Sequence, residues 1–150
     1  MELEWVPKEF ITLQMCEGAV KSVGFALKFV PSDMKSPELC LEAVTSRGWA
    51  LQWVPEELRT PELCKIAVKE NSNALEFVPE EFKTLELCEI AVKDYGSALE
   101  FVPEELKTFE LCDLAVERSS SWAMDYVPEE FQEELAEKYN IKLPEQSKGR

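Results

Sequence analysis

The sequence has no histidine, only five glycines and no long apolar run among its 150 residues. Without histidine, a Gly-rich phosphate loop or a nucleophile elbow, the sequence shows no catalytic constellation, so we expect no enzyme and assign no catalytic residue. No segment approaches the roughly 20 apolar residues that cross a bilayer. The start, MELEWVPKEF, has neither a basic leader nor an apolar core. We therefore expect a cytoplasmic protein that does not bind membranes.

Basic residues are also scarce, with 16 lysines and arginines against 30 acids and a net charge of −14. Such a surface repels nucleic acid and anionic membranes, so we expect no direct nucleic-acid binding and favour a protein partner with a basic surface. Residues 1–75 hold 11 acids and 8 bases, a net −3, whereas residues 76–150 hold 19 acids and 8 bases, a net −11. The acidic half is either a solvated helical surface or a negative stripe that docks a partner.

A period of 24 residues organises what is present. Val-Pro dipeptides recur at this spacing, with one spacing of 25 at the end: Val6, Val30, Val54, Val78, Val102 and Val127. The five cysteines keep the same period: Cys16, Cys40, Cys64, Cys88 and Cys112. A period of about 20 to 50 residues indicates stacked units, none of which buries its apolar face alone. The pattern predicts an all-α fold, a short α-solenoid of about five 24-residue helix-turn-helix repeats with a C-terminal capping helix.

The period also sets the expected domain organisation. We predict one helical-repeat domain over residues 1–143, with a flexible tail at 144–150. Its repeats are 4–27, 28–51, 52–75, 76–99 and 100–124, and its cap is 125–143. The cap begins with the polar stretch EEFQEELAEKYN, which can close the stack with Phe131, Leu135 and Tyr139 facing inward.

Each repeat carries helix punctuation. Thr60, Pro61 and Glu62 read as a hydroxyl N-cap, a proline at the first helical position and an acid near the positive helix end. The apolar residues Leu63, Cys64, Ala67 and Val68 then form one face of a helix of about three turns. Glycines such as Gly48 are consistent with a C-terminal helix cap. A second short helix follows, and the Val-Pro dipeptide ends it and opens a single further turn.

The units resemble a known family. The stretch ALEFVPEELKTFELCDLAV, residues 98–116, combines VP, EE, a hydroxyl residue and ELC at fixed offsets. It is similar to a bacterial short helical-repeat family without assigned function, domain-of-unknown-function family 4116. The resemblance covers residues 4–124 and is loosest in the first unit, which has QMC at residues 14–16. It implies an all-helical bacterial module and supplies no catalytic residues.

Cysteines and paired acids are the two features that could carry chemistry. Neighbouring repeat helices lie about 8–10 Å apart, beyond the roughly 7 Å reach of a disulfide. A zinc site needs converging cysteine or histidine ligands, so we expect neither metal nor cofactor and interpret the cysteines as buried packing residues. The acid pairs follow proline at helix starts, where negative charge is favoured, which indicates a surface role. Two of these pairs are candidate partner-binding residues: Glu80, Glu81, Glu104 and Glu105.

Positions that vary among otherwise similar repeats are the other candidates. Trp49, Tyr95 and Trp122 occupy such positions and, if they face solvent, could anchor a partner, because aromatic residues dominate interface hot spots. Packing between repeats is the alternative interpretation. A second set of positions keeps an aromatic residue in every unit, and we expect this set in the core: Trp5, Phe29, Trp53, Phe77, Phe101 and Tyr126.

These patterns support two functional hypotheses. The first is a non-enzymatic protein–protein interaction module that uses an acidic helical-repeat surface. The second is an acidic inhibitor or decoy that mimics nucleic acid, in the manner of phage or bacterial counter-defence proteins, anti-CRISPR proteins among them, and binds a basic protein. Salt distinguishes the two hypotheses. Decoy binding should weaken steeply as salt rises, because exposed charges are screened, whereas binding through apolar anchors should change little.

Overall fold

The computed structural model describes residues 3–143. Within that range the chain forms helices and the segments that connect them, and no β-strand. Each repeat contributes one long α-helix: α1 (Leu13–Ser22), α2 (Pro37–Ser46), α3 (Pro61–Glu70), α4 (Leu85–Asp94) and α5 (Phe109–Ser119). Two further α-helices follow, α6 (Ser121–Met124) and α7 (Glu129–Tyr139). The predicted all-α repeat fold is confirmed. The tail expected at 144–150 lies outside the described residues.

Short 3-10 helices connect the long helices. Four of them have six residues, and we call these the short helices: Gly24–Phe29, Gly48–Trp53, Ser72–Phe77 and Gly96–Phe101. Single three-residue turns follow the Val-Pro dipeptides: Lys8–Phe10, Ser32–Met34, Glu56–Leu58, Glu80–Phe82 and Glu104–Leu106. One more turn, Leu3–Trp5, opens the described chain. Long helices contact long helices and short helices contact short helices in consecutive repeats, so two helical layers lie side by side.

The N-caps are those that the sequence predicts. The Thr60 hydroxyl oxygen accepts a hydrogen bond from the Leu63 backbone N–H at 3.2 Å. Hydroxyl residues do the same at the other four long helices: Thr12, Ser36, Thr84 and Thr108. A proline occupies the first helical position of α2 and α3. Each such cap stabilises its helix by about 1 kcal/mol, because it satisfies an N–H that has no partner within the helix.

The long helices bury the predicted face. In α3 this face is Leu63, Cys64, Ala67 and Val68, and its equivalents are buried in α2, α4 and α5. All five cysteines are free and fully buried. Burial raises the pKa of Cys64 to about 11, so its thiol stays protonated and neutral at physiological pH. The cysteines are therefore packing residues, as the period predicts, and their reactivity is low.

The glycines have a different role from the predicted one. No described glycine has a positive φ angle, and each long helix from α1 to α4 ends at an extended residue such as Arg47. Gly24 instead starts a short helix, where an added Cβ would lie 2.6 Å from the Ala43 carbonyl oxygen in the next repeat. An added Cβ at Gly48 or Gly96 would lie even closer to a carbonyl oxygen of the following repeat. Glycine is thus present because two repeats meet there, and not because a helix needs a left-handed cap.

Ser72 is the exception at this position. It is buried, and its hydroxyl donates a hydrogen bond to the Asp94 carboxylate of the next repeat. The small side chain remains close to the neighbouring helix, and its polar atom is satisfied. A buried hydroxyl without such an acceptor would cost about 1–3 kcal/mol.

Basic side chains link neighbouring repeats in the N-terminal half, a contact that sequence reasoning did not anticipate. Lys35 Nζ donates to the Trp53 carbonyl at 2.8 Å, and Arg59 Nη1 donates to the Phe77 carbonyl at 2.9 Å. Both carbonyls lie at the C-terminal end of the next short helix, where positive charge is favoured. The equivalent cations of the C-terminal half, Lys83 and Lys107, pair with glutamates of their own turns.

The helix α7 closes the C-terminal end of the stack, and the three predicted inward residues face the core. Leu135 is fully buried, and the ring of Phe131 meets Phe109 edge-on at 5.6 Å. Asp113 of α5 accepts a hydrogen bond from Lys138 Nζ at 2.7 Å and one from the Tyr139 hydroxyl at 2.9 Å. Charged hydrogen bonds and apolar contacts therefore both attach the cap to the fifth repeat.

Candidate partner-binding groove

The second residue of each short helix varies from repeat to repeat and lies at least partly at the surface. From the first repeat to the fourth, these residues are Phe25, Trp49, Asn73 and Ser97. The Phe25 ring meets Trp53 edge-on at 5.3 Å, and the Trp49 ring meets Phe77 at 5.6 Å. An aromatic residue at this position thus covers the last aromatic residue of the next short helix.

Asn73 and Ser97 are too small to cover the next aromatic residue in the same way. The recurring aromatic residues of the repeats that follow them are Phe101 and Tyr126, and both of these rings line an open groove. The groove has a volume of about 260 Å³. It exists because two small residues follow Trp49 in a row of otherwise aromatic side chains.

The three predicted aromatic anchors all line this groove. Trp49 and Trp122 come from repeats on either side of Asn73 and Ser97, and Tyr95 comes from the end of α4. Trp49 is half-buried, whereas Tyr95 is 50% exposed and Trp122 is 75% exposed. The two interpretations of the sequence therefore both apply to Trp49, which packs on Phe77 and also faces the groove.

The aromatic residues that recur in every repeat are less buried than we predicted. Five of them are half-buried against the core: Phe29, Trp53, Phe77, Phe101 and Tyr126. Trp5 is 77% exposed. The prediction that this set lies in the core is wrong in degree, because the five rings pack against the core and remain only partly buried. The period shows that the repeats share an aromatic residue at this position, but it does not show how deeply the ring is buried.

Two glutamates give the groove its charge. Glu76 and Glu100 are exposed, line the groove and form no ion pair within the described part of the chain. None of the residues that line the groove is basic. Burial, followed by the charge of Glu100 and a hydrogen bond to it, raises the pKa of Tyr126. The Glu100 carboxylate therefore lies beside an aromatic hydroxyl at the groove surface.

The predicted acidic residues lie elsewhere. Glu80, Glu81, Glu104 and Glu105 are exposed on the single turns Glu80–Phe82 and Glu104–Leu106, and none of them lines the groove. Glu80 accepts a hydrogen bond from Lys83 at 2.7 Å, and Glu104 pairs with Lys107 in the same way. The structure thus brings the three aromatic candidates together and places the four acidic candidates outside their groove.

Sequence reasoning missed Glu76 and Glu100, although a signal was present. The first residue of each repeat varies along the chain: Glu4, Lys28, Gln52, Glu76, Glu100 and then Asp125. It precedes the recurring aromatic residue, so it lies beside the same surface. The acidic excess of residues 76–150 therefore extends to the groove, through a position that the comparison of repeats could have identified.

Within residues 3–143, no three histidine, cysteine, aspartate or glutamate side chains converge in a way that could hold a metal ion. In the same range, no helix has the length and apolar character needed to cross a membrane.

The chain was also compared with known proteins. Neither the curated proteins nor the solved structures contain a match. The family model described as Domain of unknown function (DUF4116) matches three times, at residues 13–59, 36–83 and 84–132. Together these matches cover most of the chain, and each spans about two of the 24-residue units. The chain therefore belongs to the DUF4116 family.

Proposed function

We propose that this chain is a non-enzymatic protein-interaction module that holds a basic segment of a partner protein in the groove. The observation that carries the proposal is the convergence of Trp49, Tyr95 and Trp122 beside Glu76 and Glu100. These three residues are the aromatic side chains at positions that vary among the repeats. Aromatic side chains with neighbouring negative charge are suited to a partner that presents both apolar area and positive charge.

The size of the groove favours a protein partner over a small-molecule ligand. Ligand pockets are usually concave spaces of about 300–1,000 Å³ that enclose most of the ligand. This groove has about 260 Å³ and is open to solvent, so it accommodates one side chain of a larger partner. Its polar groups include two carboxylates, two tyrosine hydroxyls, a serine hydroxyl and an asparagine amide, which together support binding better than catalysis.

Aromatic contacts are expected to dominate the affinity. Truncation of a buried interface aromatic typically costs about 2 kcal/mol or more. Exposed charge pairs contribute roughly 0–1 kcal/mol and weaken with salt. We therefore expect the tryptophans to account for most of the binding energy, with Glu76 and Glu100 selecting a positively charged partner.

The acidic decoy is the second candidate function. It is favoured by the net charge of −11 over residues 76–150 and by the exposed glutamates at successive turns, Glu80, Glu81, Glu104 and Glu105. In this case a broad negative surface would occupy the nucleic-acid site of a basic protein, and the groove would be incidental. Affinity would then depend on the turn glutamates and would fall steeply as salt rises.

Binding of short synthetic peptides tests the proposal. Two fluorescent peptides share an extended backbone of glycine, serine and leucine, and carry either arginine and lysine or glutamine at the same positions. Anisotropy is measured at about 0.1 M and about 1 M sodium chloride, where the Debye length is about 10 Å and about 3 Å. We expect the basic peptide alone to bind, with a modest salt effect. The variants Trp49→Ala and Trp122→Ala should each weaken binding about tenfold or more.

The same measurement can contradict the proposal. If the basic peptide does not bind, or binds equally well to both tryptophan variants, the groove is not the binding site. A steep fall in affinity with salt, together with indifference to the tryptophans, would favour the decoy. Circular dichroism of each variant confirms that the helical fold is retained.

A further inference from the structure

We propose that the side chain held in the groove is an arginine, stacked on the aromatic rings and paired with Glu100 or Glu76. This assignment rests on the proposed function, since it names the group that a partner segment inserts. Three properties identify the group: its positive charge, its planar shape and the hydrogen-bond acceptors around it.

The charge follows from what faces the groove. Glu76 and Glu100 have no basic partner within the described residues, and no lysine or arginine lines the space. Aromatic rings carry negative potential on their faces and attract a cation placed within about 6 Å of the ring centre. Glu100 raises the pKa of the neighbouring Tyr126, and a carboxylate has about four lone-pair sites, so Glu100 can accept hydrogen bonds from a further donor.

The planar shape favours arginine over lysine. A guanidinium is flat, stacks on aromatic rings and matches a carboxylate with two parallel hydrogen bonds. A lysine ammonium is a compact and more strongly hydrated charge, and an open groove offers little to replace its hydration shell. Trp49 and Trp122 both line the space, so a planar group held there has two flat aromatic side chains beside it.

Further acceptors are present for the remaining guanidinium N–H groups. The side chains of Asn73 and Ser97 line the groove, and neither forms a hydrogen bond within the described part of the chain. An arginine has five N–H donors, of which one carboxylate satisfies two. The amide and hydroxyl oxygens can accept others, whereas an ammonium would present only three donors from one point.

The test uses the full chain, labelled with ¹⁵N, and three small probes. The probes are the blocked amino acids Nα-acetyl-arginine amide, Nα-acetyl-lysine amide and Nα-acetyl-citrulline amide, the last being planar but uncharged. The indole N–H signals of the four tryptophans are followed during titration and assigned with Trp→Phe variants. Trp53 is the internal control, because it does not line the groove.

We expect arginine amide to shift the Trp49 and Trp122 signals while the Trp53 signal stays in place. Its affinity should exceed that of lysine amide about three- to tenfold, and citrulline amide should not saturate. Glu100→Gln should weaken arginine binding by a similar factor, whereas Glu81→Gln, an acid away from the groove, should leave it unchanged. Equal affinity for arginine and lysine, or equal affinity for arginine and citrulline, would overturn the assignment.

The outcome separates this inference from the proposed function. If the basic peptide still requires Trp49 and Trp122 but the probes show no preference for arginine, only the arginine assignment fails. If neither the peptide nor any probe shifts the groove tryptophans, the proposed function fails as well.

Discussion

The same face of the short-helix layer is filled where Trp53 and Phe77 lie and open where Phe101 and Tyr126 lie. We call these the filled part and the open part. Phe25 and Trp49 cover the aromatic residues Trp53 and Phe77 of the next short helices. Asn73 and Ser97 occupy the same position further along, where Phe101 and Tyr126 line the groove. The backbone repeats through both parts. One side chain per repeat therefore decides whether this part of the scaffold presents a packed surface or an open groove.

The two parts also differ in charge, and the open part is the more negative one. The first residue of the repeat is Lys28 and then Gln52 along the filled part, but Glu76 and then Glu100 along the open part. The open space and the negative charge therefore coincide. Neither is required by the stack, because the filled part stacks equally well without them.

The largest expected effect concerns a contact that both parts share, the close approach of a short-helix glycine to a backbone carbonyl of the next repeat. Gly48→Val and Gly96→Val place a branched side chain against a carbonyl oxygen of the next repeat, where even a Cβ does not fit. Each should lower the free energy of unfolding by about 3 kcal/mol or more, measured by urea denaturation.

Gly18→Val is the matched control for these two variants. Gly18 lies in α1, and an added Cβ there would meet no atom within 4 Å. Valine and glycine have similar helix propensities, so the change should stay within about 0.5 kcal/mol. Equal losses at all three glycines would show that the repeats do not meet as closely as described.

The second prediction concerns the cations that differ between the two parts. Arg59 donates hydrogen bonds to the Phe77 carbonyl of the next repeat and to the Val54 carbonyl of its own. Arg59→Met keeps the apolar stem but leaves these carbonyls unsatisfied, at a cost of about 1–3 kcal/mol. Lys107→Met removes a pairing with the exposed Glu104 only and should cost less. Urea denaturation of both variants checks the order, and a larger loss for Lys107→Met would contradict it.

The third prediction converts the open part into a filled one. Asn73→Phe and Ser97→Phe should cover Phe101 and Tyr126 as Phe25 covers Trp53, and thereby close the groove. The double variant should bind the basic peptide at least about tenfold more weakly, a loss of about 1.4 kcal/mol, and remain fully folded.

The inverse substitution is its control. Phe25→Ser should uncover Trp53 in the filled part without creating affinity, because the neighbouring first residues there are Lys28 and Gln52. Anisotropy with the same peptide compares the two variants. Unchanged binding by the filled variant would mean that the groove has no part in recognition.

The smallest expected effect is a pH dependence at the closed C-terminal end. The hydrogen bond from Lys138, with a smaller one from Tyr139, lowers the pKa of Asp113 in the folded chain. A lowered pKa stabilises the fold above the unfolded value of about 3.9, and this stabilisation is lost as pH falls through the folded pKa. The difference in melting temperature between the native chain and Asp113→Asn should therefore be constant near neutral pH and shrink below about pH 4.

Glu110→Gln on the same helix serves as the reference, because Glu110 is exposed and forms no ion pair within the described residues. It should not reproduce this dependence. A constant difference between the native chain and Asp113→Asn down to pH 2 would refute the assigned contact.

Much of the fold could be predicted from the period alone. A strict repeat of Thr60, Cys64 and Val68 equivalents determines a capped helix and its buried face, because both depend on residues within one turn of each other. The inward residues of the cap follow from the same helical spacing. The role of Gly48 could not be predicted, since its constraint is a carbonyl in the next repeat.

The candidate site was only partly predictable for a similar reason. Variation among repeats identified Trp49, Tyr95 and Trp122, but not that Asn73 and Ser97 create the space between them. That space depends on how one short helix lies against the next, and local sequence patterns do not show this arrangement. The acid pairs predicted binding at the turns, whereas the acids that line the groove are single residues at a varying position.

The central claim is that recognition depends on the varying residues of the short-helix face and not on the acidic surface as a whole. Its most direct test measures the affinity of the basic peptide for two double variants. One removes the groove aromatics, Trp49→Ala with Trp122→Ala, and the other removes turn charges, Glu81→Gln with Glu105→Gln. We predict that the first weakens binding more than about tenfold and the second less than about twofold. The reverse order would contradict the claim and favour an acidic decoy.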